Sequence, residues 1–340
     1  MQQYIWTKFV ALALVSAGCA LQAAVPELVD VRAIWSRAPH NAFTDLVRFN
    51  EHFYCVFREA SRHVSNDGTI RVISSTDGDV WLPTAQFSVP GADLRDPKLS
   101  ITAKGELMLL AAAAYPAPAE ITHRSMSWLS RDGKEWTGPN QMDEPNLWLW
   151  RVTWYMGRGF GLAYHTVPDP FVRMYVTRNG RQFESLGDNL YSAGFPNEST
   201  LLFLPNDTAI CLLRRDDKEP TAQLGTSQAP FRGWHWRDLG VRVGGPALLQ
   251  LPDGRIIMGG RLYDGQQRTS LCWLDPDAGK LTEFLKLPSG GDSSYPGMVY
   301  YKGFLWVSYY SSHEGKTRIY FAKIRMPRED ADKPKPKPLW

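Results

Sequence analysis

The chain has 340 residues, 44% hydrophobic and 12% aromatic, with a formal net charge of +3. That suffices for a substantial core, as one large β domain or two smaller ones, and the charge is too mild and too free of basic runs for a nucleic-acid partner. Thirteen Trp and 28 Gly among many short apolar runs point to β structure with frequent turns.

Residues 1–23 read as an export signal: Lys8, an apolar run from Phe9 to Ala17, then small residues, with cleavage after Ala20 or Ala23. The run is too short for a stable membrane span. Ser16-Ala17-Gly18-Cys19 partly matches a lipoprotein signal, so the expected address is secreted or periplasmic, with an anchor at Cys19 as a variant. Cys55, Cys211 and Cys272 lie in apolar strand-like runs, which favours buried free thiols; their wide spacing carries no metal signature.

From residue 27 to 325 a hairpin recurs six times with a period of about fifty residues, the length of a propeller blade. First strands start near Asp45, Asp96, Arg151, Glu198, Gly245 and Tyr295. Second strands include Phe53 to Arg58, Leu107 to Ala112, Phe160 to His165, Ala209 to Arg214, Ile256 to Arg261 and Leu305 to Tyr310. Three turns repeat a pattern: Ser75-Thr76-Asp77-Gly78, Ser130-Arg131-Asp132-Gly133 and Thr177-Arg178-Asn179-Gly180, each with an aromatic three residues on. There the Asp or Asn caps backbone amides, Gly takes positive φ and the aromatic packs between blades, a structural role. The sixth unit lacks a fourth strand, and Glu27 to Trp35 is a spare strand that can pair with Arg318 to Lys323 and close the ring. The predicted architecture is an all-β, six-bladed propeller, followed by a charged, proline-rich, disordered tail over 326–340.

In such hairpins the start of the first strand and the end of the second meet at one edge, which rims the mouth of the central channel. The starts bring Asp45, Asp96, Arg151, Glu198 and Tyr295 there; the ends bring Arg58, His165, Arg214, Arg261 and Tyr310. Arg95, Glu59 and His63 adjoin them. Arginines about 6 Å apart at an effective dielectric of about 20 repel by roughly 3 kcal/mol per pair. Either Glu59, Asp216 and Asp264 neutralise them as rim salt bridges, or an anionic ligand does, since the guanidinium fork suits a carboxylate. His165 reads equally as a core histidine, and Tyr295 as loop packing. Trp148, Trp150, Trp234 and Trp236 are sugar platforms or interblade packing.

The sixfold repeat, the capped turns and the three arginines on blades one, four and five resemble the sialidase (neuraminidase) superfamily over essentially the whole mature chain. The family's order of glutamate, arginine, arginine and nucleophilic tyrosine is matched by Glu198, Arg214, Arg261 and Tyr295. The family's first arginine usually opens blade one in an Arg-Ile-Pro stretch; here that stretch reads Phe43-Thr44-Asp45-Leu46, and the blade-one arginine is Arg58. The resemblance implies an exo-glycosidase that removes terminal sialic acid, or a related acidic sugar, with retention. Tyrosine replaces the usual carboxylate nucleophile because the substrate carries its own carboxylate at the reacting carbon. Glu198 would be its base, and Asp67, Asp45 or Asp96 the general acid, in that order. Arg58, Arg214, Arg261, Glu59, His63, Arg95, Arg151, His165 and Tyr310 would line the substrate. The expected partner is a sialylated or other acidic glycan, with no cofactor or metal. A non-catalytic propeller that binds acidic glycans, and a glycosidase or lyase for uronic acids, are the alternatives.

Overall fold

The computed structural model describes residues 25–166 and 168–327; the predicted export signal, and all of the predicted tail after its first two residues, lie outside them. Six four-stranded antiparallel sheets form the blades of a β-propeller. Blade one comprises His40–Phe49, His52–Ala60, Thr69–Ser75 and Leu82–Phe87. Blade two comprises Asp93–Ile101, Leu107–Ala114, His123–Ser130 and Trp136–Gln141, and blade three Trp148–Tyr155, Arg158–His165, Phe171–Thr177 and Glu184–Tyr191. Blade four follows with Pro196–Phe203, Thr208–Arg215, Gln223–Gln228 and His235–Asp238, and blade five with Val243–Gln250, Ile256–Leu262, Arg268–Asp275 and Lys280–Lys286. Blade six takes Ser293–Tyr301, Phe304–Ser311 and Arg318–Arg325 from the end of the chain and its outer strand, Glu27–Trp35, from the beginning. That pairing closes the ring and removes the free edge that would otherwise template association. Among the described residues no helix is long and apolar enough to cross a membrane.

Second strands are apolar on both faces because each is sandwiched between neighbouring blades: Leu107 to Ala113 and Ala209 to Leu213 are buried throughout. Cys55 and Cys211 are free and buried in second strands, and Cys272 is free and buried in the third strand of blade five. The capped turns hold the blades together from outside. Ser75 Oγ accepts the Gly78 amide at 2.9 Å and Asp77 Oδ1 the Asp79 amide at 2.8 Å, with the same arrangement at Ser130–Gly133 and Thr177–Gly180. The Trp81 ring meets Phe321 of blade six edge-on at 5.0 Å.

One irregularity recurs in all six blades. Near its start each first strand carries a bulge, two residues long, opposite one residue of the second strand: Phe43-Thr44, Asp96-Pro97, Trp150-Arg151, Asn197-Glu198, Gly245-Pro246 and Tyr295-Pro296. A bulge re-aims the side chains it carries. Phe43, Asp96, Gly245 and Tyr295 all adopt left-handed φ, 48° to 61°. For the three that carry a Cβ this costs of order 1–3 kcal/mol each, a strain characteristic of functional sites.

Candidate active site

Four of the six bulges supply a side chain to a well of about 270 Å³ at one mouth of the channel, lined by Phe43, His63, Arg95, Asp96, Ala114, Trp148, Tyr164, Glu198 and Tyr295. At its centre the Tyr295 hydroxyl donates to Glu198 Oε1 at 2.5 Å. Glu198 Oε2 accepts the Gly245 amide at 2.7 Å and pairs with Arg214 Nη1 at 2.8 Å, so one oxygen is anchored and the other is left for the phenol. Arg214 Nη1 also donates to the Tyr295 hydroxyl at 3.3 Å, while its Nη2 holds Asp216 at 2.7 Å. A Cβ on Gly245 would come within 2.2 Å of the Tyr295 ring, so a bare glycine is what admits the tyrosine. Phe43 meets that ring edge-on at 5.2 Å and Tyr310 stacks on it at 6.0 Å. Burial, and then the charge of Glu198, push the Tyr295 phenol well above its ordinary value of 10.0. It therefore stays protonated until something takes its proton.

Asp96 faces the same well. Burial raises its carboxyl against the opposing pull of Arg95 and Lys98, and Glu198 raises it further. Beneath the well lies Lys98, buried, its ammonium 4.6 Å from the Trp150 ring and 5.7 Å from the Tyr295 ring. Burial, then Arg151, bring it down to about 8.

The other predicted residues lie elsewhere. Arg58 is fully buried and spends its donors on Asp93 at 2.7 and 2.8 Å, Ser65 Oγ and the Arg62 carbonyl. Placing it among substrate ligands is thus corrected: the blade-one arginine is sealed off, and Arg95, from blade two, faces the well. Asp67, the first choice for the acid, accepts from the Ser61 amide and hydroxyl in an outer groove that it shares with Glu59. Glu59 is engaged by Trp35 Nε1 and Arg71 Nε. Asp45 is buried under a bidentate pair with Arg151 and accepts the Leu99 amide at 2.8 Å, which ties blades one, two and three together. His165 stacks on Phe171 and its Nδ1 bonds the Asp169 carbonyl, outside the well. Arg261 donates to the Ser293 carbonyl at 2.8 Å and to the Tyr310 hydroxyl at 3.2 Å, its guanidinium 5.6 Å from the Tyr295 ring. Trp148 lines the well, Trp150 is core, and Trp234 and Trp236 border a separate groove between blades three and four. Three participants went unassigned in the sequence: Asp292, His40 and Lys98. Asp292 lies in a glycine- and serine-rich loop just before Tyr295, the one sequence signal that could have found it.

A scan against protein-family models and a comparison with curated protein sequences give no match. Solved structures do match. A Dyadobacter fermentans protein of unknown function superposes with TM-score 0.78 at 18% identity, over 88% of this chain and 99% of that one. The Penicillium chrysogenum α-L-arabinanase bound to arabinobiose gives 0.68 at 15% identity, over 87% and 98%. Trypanosoma rangeli sialidase in complex with sialic acid gives 0.65 at 11%, over 88% of this chain and 57% of the sialidase. Likeness at such identities establishes the six-bladed fold.

Proposed function

We propose that this protein is an exo-acting glycoside hydrolase that cleaves a terminal sugar with retention, using Tyr295 as nucleophile and Glu198 as its base. The observation that carries this is the 2.5 Å bond from a buried tyrosine to a carboxylate whose other oxygen is pinned by Arg214 and the Gly245 amide. As the Tyr295 oxygen bonds to the anomeric carbon, its proton passes to Glu198 and the bond to the leaving oxygen breaks as an acid gives that oxygen a proton. Water then bonds to that carbon and yields a proton to the conjugate base of that acid, while the tyrosine departs and recovers its own proton from Glu198. Arg214 at 3.3 Å and the ammonium of Lys98 beneath the ring oppose the negative charge that grows on the phenol oxygen. Asp96, whose carboxyl burial raises above its ordinary value, faces the same well and contacts the sugar. The solved sialidase and arabinanase of similar fold make glycan cleavage a reaction this architecture accommodates.

The sugar we assign is an acidic one, sialic acid foremost. A phenol, neutral until it reacts, suits an anomeric carbon beside a carboxylate, and Arg95 faces the well. The competing reading, a neutral pentofuranose, is favoured by a specific feature: Arg58, Arg214 and Arg261 already have partners. The test compares release of 4-nitrophenol from an α-sialoside and from an α-L-arabinofuranoside by the purified protein, with Tyr295→Phe as control. Turnover of the sialoside that Tyr295→Phe abolishes supports the proposal. An active Tyr295→Phe enzyme overturns the mechanism, turnover of the arabinofuranoside alone overturns the sugar, and glycan binding without turnover would make the propeller a lectin-like module.

A further inference from the structure

At the rim of the well three side chains from distant parts of the chain meet on one carboxylate. His40 Nε2 lies 2.9 Å and His63 Nδ1 2.8 Å from the same oxygen of Asp292, and the Tyr310 hydroxyl donates to the other at 2.8 Å. The loop carrying Asp292 is pinned by Ser312: the Ser312 amide bonds the Asp292 carbonyl at 3.0 Å and the Asp292 amide bonds Ser312 Oγ at 2.9 Å. His40 is buried; His63 is half-exposed and lines the well. The His63 ring meets Phe43 edge-on at 5.2 Å, and Phe43 meets Tyr295 the same way, so Phe43 stands between the histidine and the nucleophile.

Two imidazoles and a carboxylate with ligand atoms within 4.8 Å of one another also make a ligand set for a divalent metal. Two features argue against an ion. A metal-bound imidazole is normally fixed through its second nitrogen, yet His40 Nδ1 is buried with no partner among the described residues. The Arg261 guanidinium also stands 3.8 Å from Asp292, a fixed positive charge beside the place an ion would take. Against burial, which acts the other way, hydrogen bonds from His40 and His63 hold the Asp292 carboxyl well below the usual carboxylate range.

We propose that His63, oriented by Asp292, is the acid–base residue of this site and exchanges protons with the leaving oxygen and the attacking water. The inference rests on the glycosidase reading. A carboxylate on Nδ1 fixes that nitrogen as N–H and leaves Nε2 as the exchanging atom. In the first half-reaction the imidazolium gives the Nε2 proton to the leaving oxygen as the glycosidic bond breaks. In the second, the neutral imidazole takes a proton from the water that bonds to the anomeric carbon. His63 is the most open titratable side chain of the lining, and a leaving group must depart on the open side. The charged and titratable groups around it are Asp292, His40, Tyr310 and Arg261 at its Asp292 side, and Arg95, Asp96, Glu198 and Tyr295 in the well; Arg95 Nη1 bonds the His63 carbonyl at 3.0 Å.

The experiment compares His63→Gln with the unmodified protein on methyl and 4-nitrophenyl glycosides of the same sugar, with ¹⁵N NMR of the His63 ring and a zinc titration alongside. The methyl glycoside, whose leaving group needs a proton, should lose about 10²–10⁴-fold in kcat/KM, and the nitrophenyl glycoside less than about 10-fold. His63 should show the Nδ1–H tautomer and lose it in Asp292→Asn. Equal losses on both glycosides, an Nε2–H tautomer, or stoichiometric zinc binding abolished by both His40→Ala and His63→Ala would each overturn this proposal alone. Absence of turnover on every glycoside would remove the reading of the site, and this one with it.

Discussion

Two arginine–carboxylate pairs, Arg58–Asp93 at 2.7 Å and Arg214–Glu198 at 2.8 Å, are equally close and have opposite uses. The first is 0% and 5% exposed, and every nitrogen of its guanidinium has a partner. The second is 15% and 9% exposed and shares its charge with a phenol that faces an open well. A guanidinium beside a carboxylate therefore does not identify a site; what does is a third group whose protonation the pair can change.

The sharpest way to break that contrast is to remove each arginine in turn. Arg58→Met leaves Asp93 buried with, among the described residues, only the 3.3 Å side-chain contact from Arg95. Losing one partner of a buried pair costs about 3–5 kcal/mol, so urea unfolding should show a large shift in midpoint. Arg214→Met should shift the midpoint much less, because Glu198 keeps the Gly245 amide and Asp216 keeps Arg242, yet it should remove turnover. Equal destabilisation by the two would erase the distinction.

The sequence set these arginines in one slot by counting from each turn, and pairing shows where the count slips. Arg58 is opposite Ala42 and Arg261 opposite Gly244, but in blade four the residue in that register is Arg215, opposite Pro196. Arg214 reaches Tyr295 because it falls inside the bulge. The repeat, the ring closure and the Glu198, Arg214, Arg261, Tyr295 order were legible because period and spacing are one-dimensional. Which face a strand residue takes was not, since a one-residue slip reverses it. The His40–His63–Asp292 junction was not legible either: its members are separated by up to 252 residues, and only the closed ring makes them neighbours.

Beneath the well the contrast can be sharpened through Lys98, which, unlike the sealed arginine, has among the described residues no carboxylate within hydrogen-bond reach and donates there only to the Pro97 carbonyl at 3.2 Å. Its ammonium titrates near 8 in the folded protein against 10.5 unfolded. Between those values the unfolded chain binds more protons, so stability rises with pH across that window and the cost of the buried charge is fully present below it. The difference corresponds to about 3 kcal/mol. Lys98→Met should therefore be more stable than the unmodified protein at pH 7 and lack the rise between pH 8 and 10.5, as read by denaturant unfolding at each pH. It should also slow turnover by withdrawing positive charge from beneath the phenol.

Gly245→Ala tests the bulge itself. The residue has φ of 58°, and its new Cβ would meet the Tyr295 ring at 2.2 Å. A loss of about 1–3 kcal/mol is expected from the backbone conformation and displaced ring, with loss of turnover as the phenol leaves Glu198. Unchanged activity would mean that the 2.5 Å bond does not matter.

The smallest effect on stability is expected at Asp96, and it separates function from folding most directly. Its carboxyl titrates above the ordinary 3.8 because burial disfavours the charged form. As pH rises through the window between the unfolded and folded values, the unfolded chain loses its proton first, so stability falls and remains lower above that window. Asp96→Asn carries no such cost. Its melting temperature should exceed that of the unmodified protein at pH 7, with the gap closing toward pH 4, while turnover drops because the titratable carboxyl that faces the sugar is gone. A residue kept only for packing would show neither the pH-dependent gap nor the loss of activity; a residue kept at the expense of stability is held there for its chemistry.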